Sequence, residues 1–191
     1  MTTACSNPAQ SIPGAFLEQT ADVAAPQLLG WRLVSEIDGI WSEVVITEVE
    51  AYRSDDPASH SFGGPRGRNV IMFERPGLLY VYRSYGIHWC ANVVCGGVGE
   101  GSAILLRAGT PARGEALMRE RRGRPTKLAV GPGNLCQAMG ITGAHYGVDL
   151  LDQKSPLRLV EGSPPGNIAV TPRIGITKAV EKLWRFVATH P

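Results

Sequence analysis

The chain lacks three features that would assign it to a familiar class: a long apolar run, a regular cysteine pattern, and lysine in its first two thirds. No apolar stretch approaches the ~20 residues of a membrane-spanning helix, so the sequence predicts no membrane span. The four cysteines, Cys5, Cys90, Cys95 and Cys136, have no framework spacing, which is typical of a reduced, cytoplasmic chain. The first lysine is Lys127, so residues 1–126 offer no side-chain amine as a nucleophile.

The N-terminus also lacks the basic n-region and apolar h-region of a secretory signal, and we expect none. Residues 1–25 are rich in serine, proline and alanine with weak patterning, so we expect this segment to be only partly ordered. Residues 26–191 are long enough for one well-buried core and too short for two full domains. We therefore expect a single domain over residues 26–191.

One set of residues has metal-ligating chemistry, and it is incomplete. His88, Cys90 and Cys95 could supply three ligands, but no fourth is evident and Cys90 falls in an apolar strand pattern. We therefore expect neither a metal nor another cofactor.

The formal net charge of +2 conceals two oppositely charged segments. Residues 1–56 hold nine acidic and two basic side chains, whereas residues 57–128 hold eleven basic and four acidic ones. Seven of those basic residues lie between Arg107 and Lys127. Such a cluster is either a solvated, arginine-rich face or a binding surface for a polyanion, which gains free energy by releasing counterions from phosphates. Charge alone leaves both interpretations open.

Short strands bounded by glycine or proline dominate the pattern, with few helices between them. The prediction is an α+β fold: one curved, mixed or antiparallel sheet with a protruding β-hairpin and surrounding helices. Strands are expected at residues 40–50, 78–83, 87–94, 103–108, 157–160, 168–170, 173–177 and 184–187. A helix or short strand is expected at 25–34, a helix from 110 through 118–122, and a second helix at 135–139. Thr110-Pro111 is interpreted as the start of the first of these two helices.

Polar residues are unusually dense between Thr47 and Arg107, where a plain β core would be aliphatic. Alternation along a strand places Glu48 and Glu50 on one face with Val44, Ile46 and Tyr52. Two acids at this spacing could be a surface pair. Aromatic residues follow them, however, and their rings can enclose a planar ligand while their polar tips donate hydrogen bonds.

Six motifs in one unbroken order resemble the 3-methyladenine (alkyladenine) DNA glycosylase family, of the type found in mammals and many bacteria. The similarity extends from about Leu28 to Phe186, with weaker marks at Gly131-Pro-Gly133, Arg173-Ile-Gly-Ile176 and Trp184-Arg-Phe186. The six motifs are Glu48-x-Glu-Ala-Tyr52, Asp56-x-Ala-Ser-His-Ser61, Arg68-Asn-x-x-Met-Phe73, Pro76-Gly-x-x-Tyr-Val-Tyr82, Tyr85-Gly-x-His-x-Cys-x-Asn92 and Leu105-Leu-Arg-Ala108.

The resemblance implies a hydrolase that flips a damaged purine out of duplex DNA and cleaves its N-glycosidic bond. Glu50 matches the catalytic position, where a carboxylate deprotonates water and stabilises charge at C1′. Arg107 matches the arginine that holds this carboxylate and the water, and the backbone carbonyl of Ile174 matches a further water contact. Glu48 is the competing candidate, because periodicity alone does not separate the two acids.

The resemblance also assigns the residues that would hold the base and the DNA. Tyr85 matches a residue that intercalates into the gap left by the flipped nucleotide. A cationic alkylated purine would bind the aromatic faces more strongly than a normal base does. The expected base pocket consists of Ala58, Tyr52, His60, Tyr82 and Asn92, and the expected contacts to the DNA backbone come from Arg68, Asn69, Arg119, Arg122 and Lys127.

Because the motif region contains no lysine, water is the expected nucleophile, and the enzyme should leave an abasic site without cutting the backbone. We expect a bacterial, cytoplasmic, nucleoid-associated monomer that binds double-stranded DNA with damaged purines. The alternatives are a non-catalytic reader of modified bases and an RNA-binding module. Arg66, Gly67 and Asn134 depart from the family pattern at turns where DNA contacts are common, so they bear on affinity more than on activity.

Overall fold

A thirteen-residue strand, Ile40–Tyr52, is the centre of the fold and leads directly to the polar region described above. In this computed structural model, which describes residues 14–37 and 39–190, eight strands form one sheet. They are β1 (Arg32–Ile37), β2 (Ile40–Tyr52), β3 (Leu79–Ser84), β4 (His88–Cys95), β5 (Ser102–Arg113), β6 (Leu157–Val160), β7 (Asn167–Thr171) and β8 (Arg185–His190).

The sheet has the order β3-β4-β5-β2-β1-β6, and β8 joins β2 and carries β7. Strand β2 is long enough for two neighbours on one side: Ile40–Val45 pairs with β1, and Glu48–Glu50 pairs with β8. All seven strand pairings among the described residues are antiparallel. The predicted α+β class is therefore confirmed, and the sheet is antiparallel rather than mixed.

A β-bulge in β2 decides which side chains enter the core and which line the functional region. Ile46 pairs with Gly109 and Glu48 with Ala108, so two residues of β2 lie opposite one of β5. The extra residue reverses the alternation: Val44 and Ile46 are in the core before the bulge, as are Val49 and Ala51 after it. The expectation that Val44, Ile46 and Glu50 share one face was therefore wrong.

Three α-helices are present in the described part of the chain: α1 (Ala21–Leu28), α2 (Glu115–Arg122) and α3 (Pro132–Met139). Helices α1 and α3 contribute buried residues to the same core as the central strands, and α2 adds the fully buried Met118. Short 3-10 segments lie at Ala15–Glu18, Gly67–Phe73 and Gly143–His145. No helix among the described residues is long and apolar enough to cross a membrane.

The first helix lies earlier than predicted, and the domain boundary moves with it. In α1, Ala21, Ala24, Ala25 and Leu28 are fully buried at the spacing of one helix face, and Leu17 in the preceding 3-10 segment is fully buried as well. The boundary expected at residue 26 falls inside α1, so residues 15–25 belong to the folded domain. The prediction of one helix or strand over 25–34 was also wrong, because Gly30 separates α1 from β1 at a φ of 85°. The rest of the N-terminal prediction, residues 1–13, falls outside the described residues.

Two other predictions of secondary structure, a helix start at Thr110-Pro111 and a strand at 173–177, were wrong. Thr110-Pro111 does not begin a helix, since β5 continues to Arg113 and α2 begins at Glu115. Pro111 is tolerated there because this end of β5 pairs with β2 alone, while β4 pairs only as far as Leu105. Residues 173–177 form no strand; they cross the end of β2 as irregular chain.

Strands β3 and β4 form a hairpin, joined by the turn Ser84–Ile87. Its two central residues, Tyr85 and Gly86, have φ values of 49° and 70°. Positive φ at both positions is characteristic of the type I′ turns that suit the twist of a hairpin. A tyrosine is an unusual residue for such a position, and its side chain is 91% exposed.

Candidate active site

A cavity of about 390 Å³ opens where the end of β2, the loop at residues 53–61, the β3–β4 hairpin and the segment at residues 172–176 meet. Its volume is that of a pocket for a small planar ligand. Nine of the residues predicted from the sequence line it: Tyr52, Ala58, His60, Arg68, Tyr82, Tyr85, Asn92, Arg107 and Ile174. The catalytic candidate Glu50 lies against this lining, fully buried and hydrogen-bonded to two of its members.

Three donors surround the carboxylate of Glu50. Its Oε1 accepts a hydrogen bond from the backbone N–H of Ile174 at 2.8 Å. Its Oε2 accepts one from the Tyr52 hydroxyl at 2.8 Å and lies 3.2 Å from Nη1 of Arg107. Donors on both oxygens suit an ionised carboxylate, which can only accept hydrogen bonds.

The other acid, Glu48, is occupied by two arginines. Its Oε1 accepts from Nε of Arg107 at 2.8 Å and from Nε of Arg185 at 2.7 Å. Burial alone would raise the pKa of Glu48, but the hydrogen bonds from Arg185 and Arg107 outweigh it and the pKa is lowered. The pKa of Arg107 is raised, because Glu50 and Glu48 outweigh the effect of its burial. Glu48 thus anchors Arg107, and Arg107 reaches Glu50.

Aromatic rings form the walls of the cavity. The rings of His60 and Tyr82 meet edge to face with centroids 4.5 Å apart, and Tyr80 lies 5.5 Å from Tyr82. Burial, reinforced by the charge of Glu50, raises the pKa of Tyr52, and burial raises that of Tyr82 as well. Both hydroxyls therefore stay protonated at neutral pH, and Tyr52 remains a donor to Glu50.

His60 is held in place by its neighbours and is uncharged at neutral pH. Its Nδ1 lies 2.9 Å from the Tyr80 hydroxyl. Partial burial, with a smaller contribution from the nearby Arg68, lowers the pKa of His60 below its ordinary 6.5. A neutral imidazole leaves one ring nitrogen as a donor and one as an acceptor.

Asn92 and Ala58 line the cavity and are held by single hydrogen bonds. Nδ2 of Asn92 donates to the carbonyl of Tyr80 at 3.1 Å, which leaves its Oδ1 as an acceptor. The backbone N–H of Ala58 donates to Oδ1 of Asp56 at 3.1 Å. Tyr85 lines the cavity from the exposed tip of the hairpin.

The predicted contacts to the DNA backbone separate into two groups. Arg68 lies at the cavity with its guanidinium 5.4 Å from the Tyr82 ring centroid. Asn69 is buried, and its side chain closes the neighbouring loop by donating to the carbonyls of His60 and Gly64 and accepting from the backbone N–H of Arg66. The geometry therefore gives Asn69 a structural role in place of the predicted phosphate contact.

Arg119, Arg122 and Lys127 do not line the cavity. Arg119 forms an exposed ion pair with Glu115 at 2.9 Å, and Arg122 donates to Gln137 on α3. Lys127 is exposed in the connection between α2 and α3. These residues form a basic surface outside the cavity.

The three residues considered as metal ligands are separated by the strand itself. Cys90 and Cys95 lie an odd number of residues apart on β4, so their side chains project from opposite faces. The thiol of Cys90 meets Tyr82, and that of Cys95 donates to Ser102. No cluster of three metal-ligating side chains is present among residues 14–37 and 39–190.

Sequence reasoning missed several residues of the cavity. Tyr80 shares a face of β3 with Tyr82, so strand alternation could have revealed it. The other lining residues come from six separate parts of the chain, and strand alternation alone does not bring them together: Met72, Arg83, Ser84, Cys90, Leu105, Pro132, Gly175 and Ile176.

A buried carboxylate beside an aromatic cavity is the arrangement expected of a hydrolase that acts on a bond to a flat, unsaturated group. Comparison with known families agrees with this class and makes it specific. The family model described as methylpurine-DNA glycosylase matches residues 15–191. The chain therefore belongs to the methylpurine-DNA glycosylase family and is a DNA glycosylase of DNA repair.

Several relatives support the same assignment. A protein of Rhodopseudomonas palustris (strain BisB18) is 49% identical over 173 residues, which covers 90% of this chain and 84% of the relative. One of Mycolicibacterium fortuitum is 48% identical over 172 residues, or 85% and 86% of the two chains. One of Granulibacter bethesdensis is 48% identical over 179 residues, or 92% and 82%. Each bears the name "Putative 3-methyladenine DNA glycosylase".

Proposed function

We propose that the protein flips alkylated purines out of double-stranded DNA and hydrolyses their N-glycosidic bond with water, leaving an abasic site. The observation that carries this proposal is Glu50, a fully buried carboxylate hydrogen-bonded to the cavity residues Tyr52 and Ile174. A base at this position can deprotonate a water molecule directed at C1′ and can stabilise the oxocarbenium-like charge that develops there.

The aromatic walls support recognition of an alkylated base. Methylation at N3 or N7 makes a purine cationic and electron-poor, and such a ring is attracted to the faces of tyrosine side chains. Tyr52 and the pair His60–Tyr82 supply these faces. A cationic base also leaves C1′ without further protonation, so the reaction needs no general acid.

Neutral lesions such as hypoxanthine or ethenoadenine pose a different requirement. They leave only when a proton or a strong hydrogen bond reaches the base. His60 is uncharged and its Nδ1 is bonded to Tyr80, so it offers a hydrogen bond and no readily released proton. We propose that alkylated, cationic purines are the preferred substrates and that neutral lesions are released more slowly.

The lining of the cavity supports water as the nucleophile. None of the described residues that line it is a lysine, so no side-chain amine is in place to form a Schiff base with the sugar. We propose a monofunctional enzyme that acts as a monomer on duplex DNA. Borohydride should therefore trap no covalent complex between the protein and the DNA.

The decisive experiment measures bases released from methylated duplex DNA by mass spectrometry. In Glu50→Gln we expect single-turnover release to fall by at least ~100-fold, as for loss of a general base, while damaged DNA is still bound. Glu48→Gln is the matched control, and it should retain more than a tenth of the wild-type rate because Glu48 acts only through Arg107. A wild-type protein that binds damaged DNA and releases nothing would instead be a non-catalytic reader of modified bases.

A further inference from the structure

Beneath the cavity lies an ion pair that the proposed reaction does not use directly. The side chains of Arg173 and Asp56 are both fully buried and bonded to each other through Nη1 of Arg173. The same guanidinium donates to the carbonyl of Ala51 at 3.0 Å and to that of Ala179 at 3.4 Å. A buried ion pair is weak evidence for a stabilising role, since desolvation offsets most of the attraction. The position of this ion pair beside the cavity points to a role other than stability.

Arg173 contacts both of the residues that donate hydrogen bonds to Glu50, whereas the third neighbour of that carboxylate, Arg107, forms an ion pair with it. Arg173 directly precedes Ile174, whose N–H bonds to Oε1 of Glu50 at 2.8 Å. Its guanidinium lies 4.7 Å from the ring centroid of Tyr52, whose hydroxyl bonds to Oε2. Its bond to Ala51 fixes the strand between Glu50 and Tyr52. Arg107 itself is held separately by Glu48.

Asp56 connects the same pair to the wall of the cavity. Its Oδ2 binds Arg173, and its Oδ1 accepts from the N–H of Ala58, two residues before His60. One ion pair therefore joins the end of β2 and the adjoining loop at residues 53–61 to the segment at residues 172–179, which is distant in sequence.

We propose that Arg173 is a positioning residue for catalysis, and that its pairing with Asp56 aligns Glu50 with a base bound in the cavity. Lysine cannot replace it, because the role requires a planar group that donates in several directions and stacks on an aromatic ring at once. The proposal rests on the function proposed above.

The test compares Arg173→Lys and Asp56→Asn with the wild type in single-turnover release of methylated bases from duplex DNA. We expect the maximal rate of Arg173→Lys to fall at least tenfold, with less than a threefold change in the enzyme concentration that gives half of that rate. Asp56→Asn keeps a hydrogen-bond acceptor of the same shape, so its maximal rate should lie between the rates of the wild type and Arg173→Lys. If circular dichroism shows that Arg173→Lys is unfolded, the maximal rate of Asp56→Asn tests the proposal by itself.

Arg158→Lys is the matched control. Arg158 also pairs with an acid, Glu36 at 2.9 Å, and lies 4.6 Å from a tryptophan ring centroid, that of Trp41. Arg158 pairs with Val34 of β1, which pairs on its other side with Glu43 of β2. Glu43 is seven residues from Glu50 along β2, so Arg158 lies roughly 20 Å from Glu50 at the usual rise per residue. This variant should keep both kinetic parameters within twofold of the wild type.

Two results would overturn the proposal: folded Arg173→Lys and Asp56→Asn proteins with wild-type maximal rates, or variants that lose affinity and maximal rate in parallel. Neither result would affect the proposed function, which fails only if the wild-type protein releases no base.

Discussion

Single residues in the cavity are fixed by hydrogen bonds before any substrate arrives. Glu48 and Glu50 are two residues apart and share Arg107, yet they differ in every other partner. Glu48 is engaged by cations alone, whereas Glu50 receives a hydroxyl, a backbone N–H and one guanidinium. Only the second arrangement ties a carboxylate to the aromatic wall of the cavity, and it supports the proposal of Glu50 over Glu48 as the catalytic base.

The protonation of His60 gives a prediction at the same scale. Because burial and, secondarily, Arg68 lower the pKa of His60, we expect its imidazole to titrate below 6.5 and to be neutral at pH 7. Arg68→Gln should raise this pKa part of the way back, since burial is the larger cause. Titration of isotopically labelled histidine by NMR measures both values. An unchanged or lower pKa in the variant would contradict the assignment.

The same shift has a defined consequence for stability. A lowered pKa means that the unfolded chain binds the proton first on acidification, so this contribution to stability is lost as the pH falls below 6.5. Each pH unit of pKa difference corresponds to ~1.4 kcal/mol, and solvent screening reduces this effect for His60 because its side chain is exposed, so the loss should be small.

At the scale of elements, the β3–β4 hairpin carries the residue proposed to intercalate, Tyr85, in a strained backbone conformation. Tyr85 occupies the left-handed region at a φ of 49°, which is unfavourable for a residue with a Cβ atom. Its side chain is 91% exposed, so it contributes little to the stability of the fold. A strained, exposed aromatic residue beside the cavity is the feature expected of a wedge that enters DNA.

Tyr85→Gly should therefore separate folding from function. We expect thermal stability to change by less than about 1 kcal/mol, since glycine suits the turn and no buried surface is lost. Base release from duplex DNA should fall at least tenfold, because unstacking that costs a few kcal/mol is no longer offset. Release from single-stranded DNA should fall less.

The control for this variant is Val98→Gly, which removes a side chain that is 73% exposed in the β4–β5 connection. It should behave as the wild type on both substrates. Equal losses of Tyr85→Gly on single-stranded and duplex DNA would argue against a role in flipping.

Most elements could be predicted from the sequence, and the failures have physical causes. Residues 157–160 were predicted within their observed bounds, since apolar alternation there meets no irregularity. The bulge in β2 could not be foreseen, because the reversal of alternation between Ile46 and Val49 depends on pairing with β5 and leaves no local signal. Helix α1 was misplaced because alanines, which are weak indicators of burial, form much of its apolar face.

At the scale of the whole molecule, the site is an assembly of segments distant in sequence. The motifs identified the cavity residues, because each motif is local and its residues keep their spacing. They could not reveal the bond between Ile174 and Glu50 or the pair of Arg173 and Asp56, which join residues 124 and 117 positions apart. The burial of the Asn69 side chain could not be predicted either, because the sequence does not distinguish an exposed asparagine from one that closes a loop.

The distribution of charge gives the last prediction. Residues 57–128 carry a net charge of +7 from eleven bases and four acids, and the exposed Lys127 belongs to the basic surface outside the cavity. If this surface meets DNA phosphates, affinity for undamaged duplex should fall with salt. Lys127→Ala should reduce the slope of log K against log salt by about 0.9, the value for one lost phosphate contact. Lys154→Ala is the control. Lys154 lies in the turn after Asp152, and the nearby Leu150 bonds to Gly77, just before β3 and at the end of that strand remote from the hairpin tip. Fluorescence anisotropy at several salt concentrations measures the slopes, and equal slopes for the two variants would remove Lys127 from the interface.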